Sequence, residues 1–242
     1  MKKKIVNILL VLFASVNALL CFGQSANNTV KQHTLTVGDF NRLSVNTSIA
    51  VDYRCVADSA GLAVFTVAEN NVEDILFSNN GKGSLTIDLD FDYDYRAGVP
   101  RITVYSSGLE RIANNGDSLV RATGLPPVEK FNVVLIGNGQ LMVDNIQADK
   151  VDASIRSGHG LIELSGRTKE LKAAVVGTGI IDALELPAIN VTASMVGTGK
   201  ILCAPEYELL IRGMGTGVVL YPRAPAVVRS RAAGVKHRCV ER

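Results

Sequence analysis

The stretch GTGIIDALELPAINVTASMVGTGKI, residues 177–201, contains Gly-Thr-Gly twice, with the two copies 20 residues apart. Between the copies, apolar and polar residues tend to alternate, a pattern typical of half-buried β-strands. A glycine pair of this kind either cradles a phosphate group or forms the turn of a structural unit that is copied along the chain.

The rest of the sequence favours a copied unit. Five Gly-x-Gly units follow one another at nearly even spacing, and their first glycines lie 21, 19, 20 and 18 residues apart. No Gly-Lys-Ser/Thr and no helical pattern follows any copy, as a phosphate-binding loop would require. The copies are Gly137-Asn138-Gly139, Gly158-His159-Gly160, Gly177-Thr178-Gly179, Gly197-Thr198-Gly199 and Gly215-Thr216-Gly217, with looser copies at Gly81-Lys82-Gly83 and Asn114-Asn115-Gly116.

The residues around the glycines predict strands. Two positions after each second glycine stands an aliphatic residue, which we expect to point into one core. Prolines, among them Pro187 and Pro205, lie at predicted corners between strands. Coils of about 20 residues are too short for a helix crossover, so we predict an all-β chain folded as a parallel β-helix or β-solenoid. The predicted inward ladder is Leu141, Ile162, Ile181, Ile201 and Val219.

Residues 1–23 have the pattern of a secretory signal peptide. Three lysines after Met1 precede a long apolar stretch, and Cys21 and Gly23 occupy the −3 and −1 positions of a signal-peptidase site. We predict cleavage between Gly23 and Gln24. Lipidation of Cys21 is the alternative, but it needs a small residue before the cysteine, where Leu20 stands.

Charge and hydropathy exclude several kinds of partner. The 242 residues carry a formal charge of +2, and without the signal peptide 22 basic and 23 acidic residues remain. This balance of −1 gives no reason to expect nucleic acid or an anionic membrane as a partner, and no later apolar stretch is long enough to span a membrane. The predicted divisions are a signal peptide at 1–23, an N-terminal segment at 24–39 and a single β-solenoid domain at 40–242.

The glycine units and the segments FNRLSV, IAVDY, GSLTIDLDF and PRITVY resemble the bacterial head GIN domain family, described as autotransporter adhesins. The resemblance covers the chain from Phe40 to Val235. The family's typical Ser-Gly-Ser-Gly unit keeps its first serine only at Ser157. The resemblance implies a right-handed β-helix, export and a role in surface adhesion, and it carries over no catalytic residues.

Two motifs invite a chemical interpretation. His159 occupies the variable position between two glycines, and some β-helical polysaccharide hydrolases carry Gly-His-Gly. The paired carboxylates that glycoside hydrolysis needs are missing here, so we interpret His159 as an exposed turn residue. Four alternating aspartates, Asp88, Asp90, Asp92 and Asp94, would share one face of a strand. A solvated strand face fits them better than a calcium site, whose ligands surround one point.

No catalytic, cofactor-binding or metal-ligating set is predicted. The three histidines lie far apart, without metal-ligand spacing. Cys203 falls on an inward position and is expected to be a buried free thiol. Cys239 lies about two coils further on, beyond disulfide reach, and Cys55 has no assignable partner.

The sequence therefore predicts a non-catalytic exported binding protein with an adhesin-like head, located in the periplasm, on the outer-membrane surface or outside the cell. Its partner would be a surface glycan or protein, or an envelope component. A structural envelope protein that associates with itself is the second interpretation, and a polysaccharide-active enzyme is a distant third. No aromatic-rich platform supports a dedicated sugar site, because the chain lacks tryptophan.

Charge is distributed unevenly along the chain. Residues 69–94 hold seven acids and one lysine, whereas residues 223–242 hold six basic residues and one acid. In a solenoid each coil touches only its neighbours, so we expect the two segments near opposite ends. Charged ends discourage strand pairing between molecules, but opposite charges also permit head-to-tail contact, so the chain is a possible homo-oligomer.

Overall fold

The computed structural model describes residues 30–93 and 98–240. Two short 3₁₀ helices, Ala57–Ser59 and Glu69–Asn71, interrupt a fold otherwise built from strands. The strands are β1 (Val30–Thr36), β2 (Arg42–Val45), β3 (Ala50–Cys55), β4 (Leu62–Ala68), β5 (Ile75–Asn79), β6 (Ser84–Leu89), β7 (Arg101–Ser106), β8 (Arg111–Asn114), β9 (Leu119–Thr123), β10 (Val128–Leu135), β11 (Gln140–Ile155), β12 (Leu161–Gly177), β13 (Ile180–Gly197), β14 (Lys200–Gly215), β15 (Val218–Tyr221), β16 (Val227–Ala233) and β17 (Lys236–Cys239).

The strands form a β-solenoid of about 6 turns, which confirms the predicted fold class. From β10 onward, each coil pairs in parallel with the next. One side of each coil precedes the glycine turn and another follows it. A short third side joins them at the corner, where residues 146–148 pair with residues 166–168.

The predicted inward ladder is confirmed. Leu141 lies opposite Ile162, and the pairing continues through the same position of each following coil. Every member has 0% relative exposure, so one apolar column runs along the inside of the solenoid. Its members are Leu141, Ile162, Ile181, Ile201 and Val219.

The glycine turns stack on one another. Gly177 lies opposite Gly197, and Gly197 lies opposite Gly215. At Gly197 φ is +125°, and a Cβ atom there would lie 2.4 Å from the carbonyl oxygen of Gly177. The backbones of successive coils therefore touch where a side chain would have stood.

The two looser glycine copies occupy different places in the fold. Gly116 belongs to the stack, since a Cβ on Gly139 would lie 2.2 Å from its carbonyl oxygen. The prediction for Gly81-Lys82-Gly83 was wrong, because these residues form the turn between the antiparallel strands β5 and β6. A short glycine-rich turn joins antiparallel strands as readily as it joins coils.

The N-terminal end combines parallel and antiparallel pairing. Strands β2 and β3 pair in parallel with β8 and β9 on one side and with β6 and β7 on the other. Beyond them β5 pairs with β6, and β1 pairs with β4, both in antiparallel fashion. The solenoid thus ends here in strands whose direction differs from that of the coils.

The aspartate-rich strand was predicted too long. β6 ends at Leu89, and the chain then turns, with the amide of Asp92 donating to the Asp90 carboxylate at 3.0 Å. Aspartate side chains accept such local hydrogen bonds and so favour turns over strands. Asp88 and Asp90 are therefore not joined by one continuous strand to Asp92, and Asp94 lies outside the described residues.

Pro187 and Pro205 do not end strands, contrary to the prediction, whereas Pro126, Pro127 and Pro225 lie between strands as predicted. β13 runs through Pro187 and β14 through Pro205, and the pairing of these two strands shifts register between Ala183 and Pro187. A proline is tolerated at such a bulge, where one backbone donor is already out of the ladder.

Cys203 is a buried free thiol, as predicted. Burial raises the pKa of the Cys203 thiol to about 12. Cys239 lies opposite Tyr221, in the coil beyond the one that pairs with the Cys203 strand. Cys55 and Cys239 are half-buried and also free, and the Cys55 Sγ donates to the carbonyl oxygen of Ser107 at 3.3 Å.

We expect Cys203 to resist alkylation in the folded protein. With a pKa of about 12, only about one thiol in ten thousand is a thiolate at pH 8, and the thiolate is the reactive form. Iodoacetamide at pH 8, followed by peptide mass mapping, should modify Cys55 and Cys239 in the native protein. Cys203 should react only after denaturation. Equal labelling of all three cysteines in the native protein would contradict its burial.

Candidate functional site

An open groove of about 720 Å³ lies along the third side of the solenoid. Five successive coils line it, which places it across the middle of the repeat region. Its lining includes the half-buried Val128 and Ala148, the buried Ile146 and the more exposed Ile189. Ligand sites are concave and mostly apolar, with a few polar groups that fix orientation, and this groove has that composition.

A bulge in β11 shapes the groove. The pairing of β11 with β12 shifts register between Val143 and Ile146. Asn145, within this shift, has φ of +58°, and it is the one non-glycine residue with a positive φ in the described parts of the chain. Its amide donates to the Ser165 hydroxyl at 3.1 Å. Asparagine tolerates this conformation better than most residues, and bulges are over-represented near binding sites.

The backbone beneath the groove is tightly packed. Gly166 lies opposite Ile146, where a Cβ would be 2.1 Å from the Ile146 carbonyl oxygen. Next to it Thr168 is buried, with its hydroxyl 3.2 Å from the carbonyl oxygen of Asp149 and 3.1 Å from that of Glu170. The floor is therefore held by backbone contacts and a buried hydroxyl, and it presents a fixed surface.

Charged side chains of both signs form the rim. Lys169 Nζ lies 2.8 Å from Asp149 Oδ1, and Arg167 lies 4.0 Å from Glu206 Oε1. All four side chains are at least half exposed. Exposed ion pairs contribute about 0–1 kcal/mol to stability, so these groups can exchange their partners for those of a ligand at little cost.

This arrangement is suited to binding. The rim supplies donors from Arg167 and Lys169 and acceptors from Asp149 and Glu206, over an apolar floor. The described lining contains no histidine, cysteine, serine or aromatic residue. Within residues 30–93 and 98–240, no group of histidine, cysteine and carboxylate side chains is placed to hold a metal ion, and no helix is long and apolar enough to cross a bilayer.

The residues that the sequence analysis singled out do not line the groove. His159 is exposed in its glycine turn, as predicted, and its amide lies 3.2 Å from the Asn138 side-chain oxygen. Gly23, Gln24 and Cys21 lie outside the described residues. Sequence reasoning did not find the groove. The one sequence signal that pointed to the groove was Gly166, which lies inside a strand and outside the Gly-x-Gly pattern. A glycine in such a position often marks a bulge.

Comparison with known proteins gives one family match. The model of a family described as "putative auto-transporter adhesin, head GIN domain" matches residues 39–225. No curated protein matches the chain.

Solved structures from Bacteroides and Parabacteroides species have the same fold. A structure from Bacteroides fragilis named a "putative adhesin" is 19% identical, with a TM-score of 0.76, and the alignment covers 87% of this chain and 97% of the other. A "putative adhesin" from Parabacteroides merdae is 20% identical, with a TM-score of 0.68 and coverage of 88% and 97%. A Parabacteroides distasonis structure named a "putative lipid binding protein" is 18% identical, with a TM-score of 0.67 and coverage of 88% and 98%.

Proposed function

The chain belongs to the head GIN domain family, and on that premise we propose that it is an exported, non-catalytic binding protein with an adhesin-like role, whose ligand occupies the third-side groove. The observation that carries the proposal is the bulged, backbone-packed floor beneath two exposed ion pairs. A rigid floor suits recognition, because it loses little conformational entropy when the ligand binds, and the exchangeable rim charges can pair with the ligand.

An extended protein segment fits the groove better than a glycan or a lipid tail. Sugar sites rely on aromatic platforms, and the described lining has none. A lipid tail needs an enclosed apolar cavity, whereas this groove is open and its rim carries four charges. A peptide offers both backbone hydrogen-bonding groups and charged side chains, which the rim can pair with.

We expect groove charge reversals to weaken ligand binding. Lys169→Glu and Arg167→Glu should each lower affinity at least tenfold, since hydrogen bonds to charged groups contribute about 1.5–3 kcal/mol and about 1.4 kcal/mol is a factor of ten. Surface plasmon resonance against a panel of matrix proteins, host glycans and lipid vesicles identifies the ligand class and measures this loss.

Arg156→Glu is the matched control, because Arg156 is exposed outside the groove lining and undergoes the same charge change. It should bind like the wild type. Equal losses in all three variants, or none, would place the ligand elsewhere. Binding confined to glycans or vesicles would contradict the protein-segment assignment.

Export by signal-peptide cleavage is part of the proposal. We expect the protein isolated from its host to begin at Gln24, with residues 1–23 removed. Intact mass spectrometry measures this directly. A chain that begins at Cys21 and carries a diacylglycerol would show lipidation instead, and a chain that retains residues 1–23 would contradict cleavage.

A further inference from the structure

The two ends of the solenoid have opposite charge. The acidic end comprises β5, β6 and their flanking residues within 69–93, with six acids and one lysine. The basic end comprises β16, β17 and their flanking residues within 223–240, with five basic residues and no acid. β5 pairs with β6 at one end of the ladder, and β16 and β17 pair with β14 and β15 at the other. The two segments therefore carry −5 and +5 at opposite ends of one solenoid, and Lys31 of β1, which pairs with Glu69 at 3.0 Å, reduces the balance at the acidic end to −4.

At each end of the solenoid, strands have a backbone edge that pairs with no other strand in the described part of the chain. β16 is aligned with β14, and β17 is aligned with β15. No register joins the other edge of β16 or β17 to a further strand within 30–93 and 98–240. At the acidic end β5 is aligned with β6 alone in the same part of the chain. Such edges carry unpaired backbone donors and acceptors that can pair with another chain.

The inside of the last coil is also open. Ser230 lies opposite Ile211, and His237 lies opposite Val219, so polar residues continue the two inward columns. Both are exposed, and Val228 on the same strand as Ser230 is 39% exposed. At the acidic end Leu76 of β5 is 42% exposed. Both ends therefore offer some apolar surface beside their charged side chains.

We propose that the basic end of one molecule docks on the acidic end of a second copy, with β16 lying beside β5. The charge complementarity selects a second copy as the occupant, because two like ends repel each other. Contact between different ends is heterologous, so it leaves one free end of each kind and extends into a linear chain of molecules unless a ring closes. This goes beyond ligand binding in the groove, which lies on the third side and stays accessible.

A simpler account is that the charges only cap the ends, since terminal coils with a polar outer face keep solenoids soluble. It requires charge at both ends but not opposite signs. Opposite signs are carried by exposed side chains that have no ion pair among the described salt bridges. These are Glu73 and Asp92 at the acidic end, and Arg223, Arg231, Lys236 and Arg238 at the basic end.

Sedimentation velocity of the protein without residues 1–23 tests the proposal. We expect species larger than the monomer at about 0.1 M salt and monomer at about 1 M, because the Debye length falls from about 10 Å to about 3 Å. The basic-end variant Arg231→Glu/Arg238→Glu should be monomeric at both salt concentrations. The acidic-end variant Glu73→Lys/Asp92→Lys should be monomeric as well. A control, Arg156→Glu/Lys172→Glu, changes exposed residues away from both ends and should associate like the wild type.

A mixture of the two end variants tests most directly whether opposite ends bind each other. Each retains one intact end, so the mixture should form a 1:1 dimer and nothing larger. A wild-type monomer at low salt, an end variant that still associates, or a mixture that stays monomeric would each overturn the proposal. Ligand binding by the groove is measured separately, so its failure and the failure of end-to-end contact are distinguishable. Circular dichroism of each variant verifies that the fold is intact.

Discussion

Replacement of Gly197 by alanine is expected to lower the free energy of unfolding by about 2–6 kcal/mol. Two effects add. The backbone at Gly197 has φ of +125°, a region that other residues rarely adopt, and the new methyl group would lie 2.4 Å from the Gly177 carbonyl oxygen. That oxygen accepts from the amide of Thr198 at 3.0 Å, so a shift that relieves the overlap disturbs the pairing between coils.

Gly81→Ala is the matched control. Gly81 also has a positive φ, +68°, but a Cβ there meets nothing within 4 Å. It should therefore show only the smaller cost of the left-handed conformation. Urea unfolding followed by circular dichroism compares the two variants. Equal destabilisation would mean that close contact between coils contributes nothing at Gly197.

Ile181→Ala is expected to cost about 2–5 kcal/mol, because it opens a cavity in the inward column. Ile181 has 0% exposure and lies between Ile162 and Ile201 in the neighbouring coils. Removal of its side chain takes contacts from both neighbours at once, and the stacked backbones restrict the collapse that would refill the space.

Ile180→Ala is the natural comparison, since it removes the same atoms from the adjacent residue. Ile180 is half-buried on the opposite face of the strand. It should cost clearly less than Ile181→Ala in the same urea titration. A larger cost at Ile180 would reverse the assignment of the two faces.

The regular coils were predictable because two independent patterns agree in them. Glycine spacing located each turn, and the aliphatic residue two positions later, such as Ile181, identified the inward face. Both patterns arise from contacts between equivalent positions of neighbouring coils, so they repeat visibly in the sequence.

The remaining features depend on contacts that do not repeat. The antiparallel strands at the N-terminal end pair segments distant in sequence, and nothing local distinguishes the Gly81 hairpin turn from a coil turn. Pro187 looked like a strand end because only the register shift in the folded ladder accommodates it. The groove results from a bulge at Asn145, whose backbone conformation no composition rule would assign.

The contrast between the two halves of the ladder bears on the order in which the chain folds. In the regular coils each strand pairs with the next in sequence, as β13 does with β14. At the N-terminal end Arg42 pairs with Arg111, so this part of the ladder waits until the chain has emerged well beyond residue 100. Distant pairing is slow, whereas addition of a neighbouring coil requires only a short loop. We therefore expect formation of the N-terminal end to limit the folding rate, and this end to be the segment that proteases cleave while the chain folds. The later coils should form one after another, each pairing with the coil already folded.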